Sequence, residues 1–289
     1  MSKLPKRILI IGLGLMGGSI AEALSHNGYH VEAISLYEEE ISFAKEKGFI
    51  QDGRTTFSKE YLASFPCFLF ALYPSTLVKW MKEHVNDIAP NTLLTDVTGI
   101  KEPIIREILP LLKGKDIDFV FAHPMAGKAR KGVGYASKDI FKGSNFLITP
   151  IPINKEENIR AIEELGRTLG SGQIVRVSPK EHDEMIAYVS QLTHIIAMAL
   201  MNAKKETHLD EYTGDSFRDL TRIAEMNDEM WPELFIMNQA TLLQQMDLFL
   251  DEMNKIRDAI AHASIDELRK MMQSSTAKRE AFSSESKNL

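Results

Sequence analysis

Short apolar runs alternate with amphipathic helical segments as far as Pro179, and this alternation limits the fold of the 289-residue chain more than any other feature. Most runs are continuously apolar, as expected for strands that are covered on both faces of a parallel sheet. Strands that take turns with helices indicate βαβ units and a doubly wound sheet. We expect strands at residues 8–11, 31–36, 67–72, 92–97, 119–122, 145–149 and 173–177, with helices at 19–27, 39–47, 75–88 and 155–169.

The second part of the chain has a different periodicity. Its segments are long, helix-periodic and rich in methionine, which helical cores and subunit interfaces use as adaptable packing. The sequence therefore predicts an α/β domain over residues 1–179, followed directly by an all-helical domain over residues 180–289. Helices are expected in this second domain at residues 183–205, 217–225, 231–262 and 265–278.

The composition excludes several classes of protein. A net charge of −6 and an isoelectric point of about 5.8 argue against a broad nucleic-acid footprint. The single cysteine, Cys67, excludes an internal disulfide framework and a cysteine-based zinc cluster, and we interpret it as a buried small hydrophobe. No apolar run approaches the ~20 residues that span a bilayer, and the N-terminus does not resemble a secretory signal. We therefore expect no membrane partner and a cytoplasmic location.

A glycine-rich turn directly follows the first predicted strand. Gly12 permits the tight turn, Gly14 lets the backbone approach a pyrophosphate, and Gly17 brings the following helix close to the strand. A glycine loop that binds nothing is the alternative, but the position in the first βαβ unit favours a Rossmann-type dinucleotide site. The residues expected to contact the cofactor here are Gly12, Leu13, Gly14, Leu15, Met16 and Gly17.

The second predicted strand ends without the acid that usually holds the adenosine ribose. Ser35 occupies that place, and we expect it to contact the cofactor. No Arg or Lys follows that could bind a 2′-phosphate, whereas Glu38, Glu39 and Glu40 would oppose an added negative charge. The pattern favours NAD and leaves NADP open, since the same glutamates also fit the solvated first turn of a helix.

Two loops carry polar groups just after predicted strands, where open α/β sheets bind their ligands. One loop contains Asp96, Thr98 and Lys101, and the other contains His123. His123 is a candidate general acid or base because imidazole titrates near neutrality. A purely structural role for His123, which precedes a proline in the loop, is equally consistent with the sequence.

The predicted helical domain holds further polar candidates. His194 lies among apolar residues at helical spacing, which is typical of a core histidine. Arg218 and Arg222 share one helical face, and Asp219 precedes Arg222 by three residues. A guanidinium can bind a substrate carboxylate, but an ion-paired surface helix has the same pattern.

Four motifs follow one another along nearly the whole chain. They are Gly-Leu-Gly-Leu-Met-Gly-Gly-Ser at 12–19, His-Pro-Met-Ala-Gly at 123–127, Ser-Gln-Leu-Thr-His ending at His194, and Phe-Arg-Asp-Leu-Thr-Arg-Ile-Ala at 217–224 with Trp231. The first motif is common to nicotinamide enzymes, whereas the other three in this order are specific. Together they resemble the prephenate/arogenate dehydrogenase family of tyrosine biosynthesis.

This resemblance implies an enzyme that oxidises and decarboxylates prephenate to 4-hydroxyphenylpyruvate with NAD. It implies that His123 takes the proton of the substrate's ring hydroxyl, that His194 is a second active-site histidine, and that Arg222 clamps a substrate carboxylate. Asp219 and Trp231 are then expected near the entrance of the site. The resemblance also implies a homodimer formed through the helical domain and a reaction that needs no metal.

Two departures from the family pattern bear on the site. The usual serine of the first loop is replaced by Gly99, and we expect Thr98 to supply a catalytic hydroxyl from the neighbouring position. After the His-Pro motif the chain lacks the usual glutamate and is more basic. Lys128, Arg130 and Lys131 are candidates for a substrate carboxylate, of which we assign Lys128, although solvated charges would give the same composition.

Three other functions stay open from the sequence. An enzyme of this family could prefer arogenate, because the distinguishing contact is made to the side-chain amine or carbonyl. A β-hydroxyacid dehydrogenase shares the glycine turn and the helical second domain, but Lys204 and Lys205 lack the sequence context of that family's lysine base. A nicotinamide-binding sensor without turnover would fit the departures in the two loops.

Overall fold

The computed structural model describes residues 3–127, 130–205 and 208–287, except the side chains of 283–287. The chain forms two compact units, Met1–Gln239 and Ala240–Leu289. The larger unit is built on eight strands, β1 (Arg7–Ile11), β2 (His30–Ile34), β3 (Asp52–Arg54), β4 (Cys67–Phe70), β5 (Thr92–Asp96), β6 (Ile117–Pro124), β7 (Asn145–Thr149) and β8 (Gln173–Arg176).

These strands form one sheet in the order β3-β2-β1-β4-β5-β6-β7-β8. The first six strands run parallel, β7 is antiparallel to β6, and β8 is parallel to β7. All seven predicted strands are present. The sequence missed the short polar strand β3, which pairs with β2, and did not predict the reversal at β7.

Helices pack on both faces of the sheet, and further helices follow β8 along the chain. They are α1 (Leu15–His26), α2 (Glu38–Glu46), α3 (Lys59–Ala63), α4 (Pro74–His84), α5 (Glu102–Ile108), α6 (Glu156–Thr168), α7 (Pro179–Ile186), α8 (Thr193–Asn202), α9 (Asp215–Thr221), α10 (Met230–Met237), α11 (Gln239–Ala261) and α12 (Ile265–Lys287). Regular structure in the described residues after 179 is helical, so the predicted fold class is confirmed. The domain boundary between residues 179 and 180 stays a prediction.

Two apolar clusters fill the space between the sheet and its helices. Along β1, Ile8 and Ile10 belong to one cluster, and Leu9 and Ile11 belong to the other. Neighbouring side chains of a strand point to opposite faces, so a strand covered on both faces must be apolar at every position. Cys67 is buried in the first cluster, as predicted.

A continuous helix, Pro179–Asn202, follows the sheet. It comprises α7, a π-helical segment at Ala187–Leu192, and α8, and it begins where the Ser178 side chain accepts a hydrogen bond from the Glu181 N–H. By length and a mean hydropathy of 1.3 this helix could cross a membrane, and 28% of the apolar window is buried. Core helices of proteins that do not enter membranes reach the same length and hydropathy. A π-helical insertion is frequent at functional sites.

One predicted helix, residues 231–262, is in fact two. α10 and α11 are separated at Asn238, whose backbone leaves the helical conformation. The buried Asn238 side chain donates from Nδ2 to the carbonyl oxygen of Asp183 at 3.0 Å and to Oε1 of Gln191 at 2.9 Å. The break therefore satisfies a buried amide that ties the end of α10 to the Pro179–Asn202 helix.

Candidate active site

The glycine turn between β1 and α1 has the shape that a dinucleotide requires. Gly12 has a φ of 98°, and a Cβ atom there would lie 2.6 Å from the Ala71 carbonyl oxygen. A Cβ atom on Gly17 would lie 1.9 Å from the Gly12 carbonyl oxygen, so only glycine permits this close packing of helix on strand. Gly14, by contrast, faces open space with nothing within 4 Å of an added Cβ atom. Backbone atoms therefore fill the space at Gly12 and Gly17, whereas the space beside Gly14 is free for a ligand.

The open side of the turn fits a pyrophosphate. Gly14 is the N-cap of α1 and has no side chain to occupy the first N–H groups of the helix, which can donate to an anion. Leu13 is buried in the core and can offer only its backbone, whereas Leu15 and Met16 are half-buried beside the turn. The residues present therefore fit the nucleotide predicted from the sequence.

Of the three glutamates named from the sequence, Glu40 brings its carboxylate to the end of β2. Ser35 is buried, and its hydroxyl donates a short hydrogen bond to the carboxylate of Glu40 in the first turn of α2. The same hydroxyl oxygen accepts from the Tyr37 N–H at 3.3 Å. The acid missing from the strand end is thus supplied five residues later. The only signal in the sequence is the run of three glutamates.

A buried ion pair holds together the ends of β5 and β6. The Nζ atom of Lys101 is fully buried and donates to Oδ2 of Asp96 at 2.7 Å and to the Ala122 carbonyl oxygen at 2.6 Å. Burial lowers the pKa of Lys101, and the Asp96 carboxylate opposes that shift. Since Ala122 directly precedes His123, this pair fixes the backbone from which the candidate base projects.

The Thr98 hydroxyl is bonded within this buried ion pair. It donates a short hydrogen bond to Asp96 and lies 3.1 Å from both the Lys101 Nζ atom and the Ile100 carbonyl oxygen. Thr98 is 4% exposed. With its hydroxyl bonded inside this buried pair, Thr98 stabilises the loop, and a catalytic role for that hydroxyl stays a prediction.

His123 projects from the carboxyl end of β6 and is half-buried. Gly99 lies beside it, because a Cβ atom on Gly99 would come within 3.8 Å of the His123 Cε1 atom. The Leu234 side chain of α10 would lie 3.5 Å from the same Cβ atom. The imidazole is therefore bordered by the first loop and faces α10.

Two residues that the sequence did not single out lie behind His123. The Nδ1 atom of His123 is 3.0 Å from Nε2 of His182, and Nδ1 of His182 is 2.7 Å from Oδ1 of Asp183. Both His182 and Asp183 are buried in α7. Burial lowers the pKa of His182 to about 3 and raises that of Asp183 to about 6. Burial, with smaller effects of His182 and Lys101, holds the pKa of His123 well below its usual value.

His194 and Trp231 form an aromatic wall. Their ring centroids are 3.9 Å apart, and Nδ1 of His194 donates to the Ser190 carbonyl oxygen at 2.8 Å. Burial lowers the pKa of His194, and the positive charge of Arg222 lowers it further. Trp231 and Leu234 are three residues apart on α10, so one helix face borders both histidine sites.

Several contacts seat α10 over the ends of the strands. The Ser75 N–H donates to Glu233 at 2.5 Å, and the Asn227 amide donates to the Tyr73 hydroxyl at 2.9 Å. Lys131 Nζ lies 3.4 Å from an Asp228 carboxylate oxygen, across from the His-Pro loop. These contacts place α10 and the residues before it close to the carboxyl ends of β4 and β6.

Two of the other predicted substrate residues make fewer contacts with the protein. Arg222 and Asp219 are exposed, and among the described residues neither forms an ion pair. Lys128 lies outside the described residues. Lys131, three residues along the same loop, is engaged by Asp228 and by Glu229 at 3.3 Å.

Known protein families match the chain over most of its length. The nucleotide-binding domain of prephenate dehydrogenase matches residues 20–175, and the dimerization domain of prephenate dehydrogenase matches residues 178–274. The chain belongs to the prephenate dehydrogenase family. This membership confirms the resemblance carried by the four motifs and the predicted class, an NAD-dependent oxidoreductase.

Individual members of the prephenate dehydrogenase family align over most of the chain. Prephenate dehydrogenase of Bacillus subtilis is 29% identical over 280 residues, which cover 93% of this chain and 74% of that protein. Cyclohexadienyl dehydrogenase of Zymomonas mobilis is 27% identical and covers 91% of each chain. The crystal structure of A. aeolicus prephenate dehydrogenase with hydroxyphenyl propionate and NAD+ has a TM-score of 0.88 at 25% identity, covering 98% of this chain and 100% of that chain.

Proposed function

We propose that this protein oxidises prephenate with NAD and releases 4-hydroxyphenylpyruvate and carbon dioxide. The observation that carries the proposal is the position of His123. It stands at the carboxyl end of β6, in a chain of the prephenate dehydrogenase family, with one ring nitrogen held by His182. In the described residues no protein group bonds to its other ring nitrogen, Nε2, which is left for a substrate.

The reaction needs a base at the ring hydroxyl of prephenate. The lowered pKa of His123 keeps its imidazole neutral near neutral pH, so that a lone pair is available for the hydroxyl proton. NAD, when bound, accepts the hydride from the carbinol carbon. As the ring carboxylate leaves, its bonding electron pair enters the ring and makes it aromatic. His123 can then return its proton to the new phenolic oxygen.

Prephenate carries two carboxylates, which call for cationic partners in the protein. Arg222 is an exposed guanidinium close enough to His194 to lower its pKa. A planar guanidinium fork matches a carboxylate, so we assign substrate binding to Arg222. Asp219 is assigned to the mouth of the site, one turn before Arg222, and Lys128 stays a proposal from the sequence.

His194 and Trp231 are assigned to the substrate's ring. Their ring centroids lie 3.9 Å apart with the planes tilted by 34°, so they offer an aromatic surface to the ring of the substrate. Because the Nδ1–H group of His194 is held by Ser190, its Nε2 atom carries the lone pair and can accept a hydrogen bond from the substrate.

The turn at Gly12, Gly14 and Gly17 is assigned to the pyrophosphate, and the pair of Ser35 and Glu40 to the adenosine ribose. A carboxylate at the strand end can accept hydrogen bonds from a ribose diol and repels a 2′-phosphate. This arrangement supports NAD over NADP.

We assign a homodimer to the helical part of the chain and a cytoplasmic location to the enzyme. The helix Pro179–Asn202 leaves several large apolar side chains exposed, and the family that matches this region is a dimerization domain. A second copy of the chain is therefore the proposed cover for this surface. The exposed residues are Met185, Tyr188, Val189, Met198, Leu200 and Met201.

A second candidate substrate is arogenate, the amino acid that corresponds to prephenate. One observation favours it, namely the similarity of the chain to a cyclohexadienyl dehydrogenase over 91% of both proteins. The two substrates share the ring, the hydroxyl and the ring carboxylate, so the chemistry assigned to His123 is the same for both.

Initial rates of NADH or NADPH formation test the proposal when prephenate and arogenate are each combined with NAD and with NADP. We expect the highest kcat/KM for prephenate with NAD. A higher value for arogenate would reassign the substrate. Nucleotide binding without turnover of either compound would refute the proposal and favour a nicotinamide-binding sensor.

A further inference from the structure

Behind His123 lies a buried chain of hydrogen bonds, of which the proposed function uses only the contact between His123 and His182. His123, His182 and Asp183 are joined by contacts of 3.0 Å and 2.7 Å. We propose that His182 and Asp183 are positioning residues, which fix the ring tautomer of His123 and stabilise its protonated form during the reaction. The catalytic part of this inference depends on the proposed function.

The orientation of Asp183 is fixed by contacts with a second element, α5. Its Oδ1 atom accepts from the Lys101 N–H at 2.9 Å, and its Oδ2 atom accepts from the Glu102 N–H at 2.8 Å. These are N–H groups at the start of α5, so the carboxylate caps a helix that is not its own. On the other side, the Asn238 amide holds the Asp183 carbonyl oxygen at 3.0 Å. Asp183 is therefore held as a hydrogen-bond acceptor.

In a neutral imidazole one ring nitrogen is a hydrogen-bond donor and the other is an acceptor. A carboxylate acceptor requires Nδ1 of His182 to carry its proton, so Nε2 of the neutral His182 ring is an acceptor. The Nδ1 atom of His123, 3.0 Å away, must then be the donor. The lone pair of His123 consequently lies on Nε2, the atom that the proposed reaction uses.

When His123 accepts the hydroxyl proton it becomes positive, and the charged or titratable groups that face it are His182 and Asp183 of α7 with Asp96 and Lys101 of the first loop. Asp96 is already paired with the ammonium of Lys101 at 2.7 Å. Asp183 is the carboxylate that remains, and it acts on His123 through the His182 ring. No proton needs to reach Asp183, because orientation and charge suffice.

A purely structural role for Asp183 is the rival explanation, since it also caps α5. Substitutions of His182 separate the two roles because this residue does not bond to α5. Glutamine can accept from Nδ1 of His123 through its Oε1 atom, whereas leucine has a similar size and no acceptor. Ser178→Ala is the matched control, because it removes the N-cap of the same helix without touching the chain of hydrogen bonds.

The tautomer of His123 can be read in the protein without substrate or nucleotide, by NMR of ¹⁵N-labelled histidine near neutral pH. We expect His123 to be protonated on Nδ1 in the wild type and in His182→Gln, and mainly on Nε2 in His182→Leu. An Nε2-protonated His123 in the wild type would overturn the inference. This result does not depend on turnover, so it is distinguishable from a failure of the proposed function.

Steady-state kinetics then test the catalytic consequence. We expect kcat with prephenate to fall by about 100-fold or more in His182→Leu and by about 10-fold or less in His182→Gln, with NAD affinity unchanged in both. Asp183→Asn should lower kcat and move the acid limb of kcat/KM to lower pH, since the loss of a negative charge lowers the pKa of His123. Ser178→Ala should lower Tm and leave kcat unchanged. Equal loss of kcat in the leucine and glutamine variants would leave only a structural role and overturn the inference.

Discussion

Gly99 lies against His123, with 3.8 Å between the Cβ position of the glycine and the Cε1 atom of the imidazole. The family pattern commonly has serine where this chain has Gly99, and the hydroxyl of the neighbouring Thr98 is held by Asp96. Neither Gly99 nor Thr98 therefore presents a free hydroxyl to the imidazole. The contact distances of 3.5 to 3.8 Å around the Gly99 Cβ position are ordinary van der Waals contacts, so a small side chain fits there.

Gly99→Ser should restore a hydroxyl beside His123. We expect kcat/KM for prephenate to rise by about 2- to 10-fold, the range of one net hydrogen bond to the substrate. Tm should stay the same, because the new Cβ atom makes only ordinary contacts. Gly134→Ser, in open space elsewhere, is the control. A decrease in kcat/KM at unchanged Tm would show that the site has no place for this hydroxyl.

Gly14→Ala should leave the fold intact and weaken nucleotide binding. An added Cβ atom meets nothing within 4 Å in the protein, but it stands where the pyrophosphate must approach. We expect Kd for NAD, measured by calorimetry, to rise at least about 10-fold with Tm unchanged, a loss of about 1.4 kcal/mol. Gly134→Ala serves as the control in equally open space. An unchanged Kd would place the nucleotide elsewhere.

Glu40→Ala should change the choice between nucleotides. Removal of the carboxylate that Ser35 contacts takes away an acceptor for the ribose and a charge that repels a 2′-phosphate. We expect KM for NAD to rise by about 10-fold and the preference for NAD over NADP to shrink, as for the loss of a charged hydrogen bond of about 1.5 kcal/mol. Glu39→Ala removes an exposed neighbouring charge and should have little effect. Equal effects of the two variants would contradict the role of Glu40.

Arg222→Gln should mainly raise KM for prephenate. The guanidinium is exposed and has no ion-pair partner among the described residues, so it is available to a substrate carboxylate. We expect KM to rise by about 10- to 100-fold with a smaller change in kcat, as for lost ground-state binding. Arg218→Gln removes a neighbouring charge whose contact is Asp215 at 3.9 Å, and it is the control. An unchanged KM in Arg222→Gln would show that Arg222 does not bind the substrate.

Local sequence patterns were enough to predict much of the fold. Continuous apolar runs predicted seven strands, because strands buried on both faces must be apolar throughout. The strand β3 (Asp52–Arg54) was missed because its three residues are polar or glycine and pair with β2 only through the backbone. The break at Asn238 was also missed, since the buried partners of its amide lie 47 and 55 residues away.

In the candidate site, too, residues with a local sequence signal were predicted, and residues defined by distant contacts were missed. His123 and the glycine turn carry local signals, namely a strand end and a glycine spacing. His182 and Asp183 carry none, since their meaning comes from His123, 59 residues away, and from the N–H groups of α5 about 80 residues away. The direction of the Thr98 hydroxyl likewise depends on Asp96 and Lys101, so the sequence order of Thr98 and Gly99 could not show which one faces the imidazole.

The central claim is that His123 takes the hydroxyl proton. The measurement that tests it most directly is kcat for prephenate oxidation by His123→Asn, together with Kd for NAD and with His26→Asn as a surface control. We expect a loss of at least about 100-fold in kcat with NAD binding retained, as for removal of a general base. A kcat close to that of the wild type would contradict the claim.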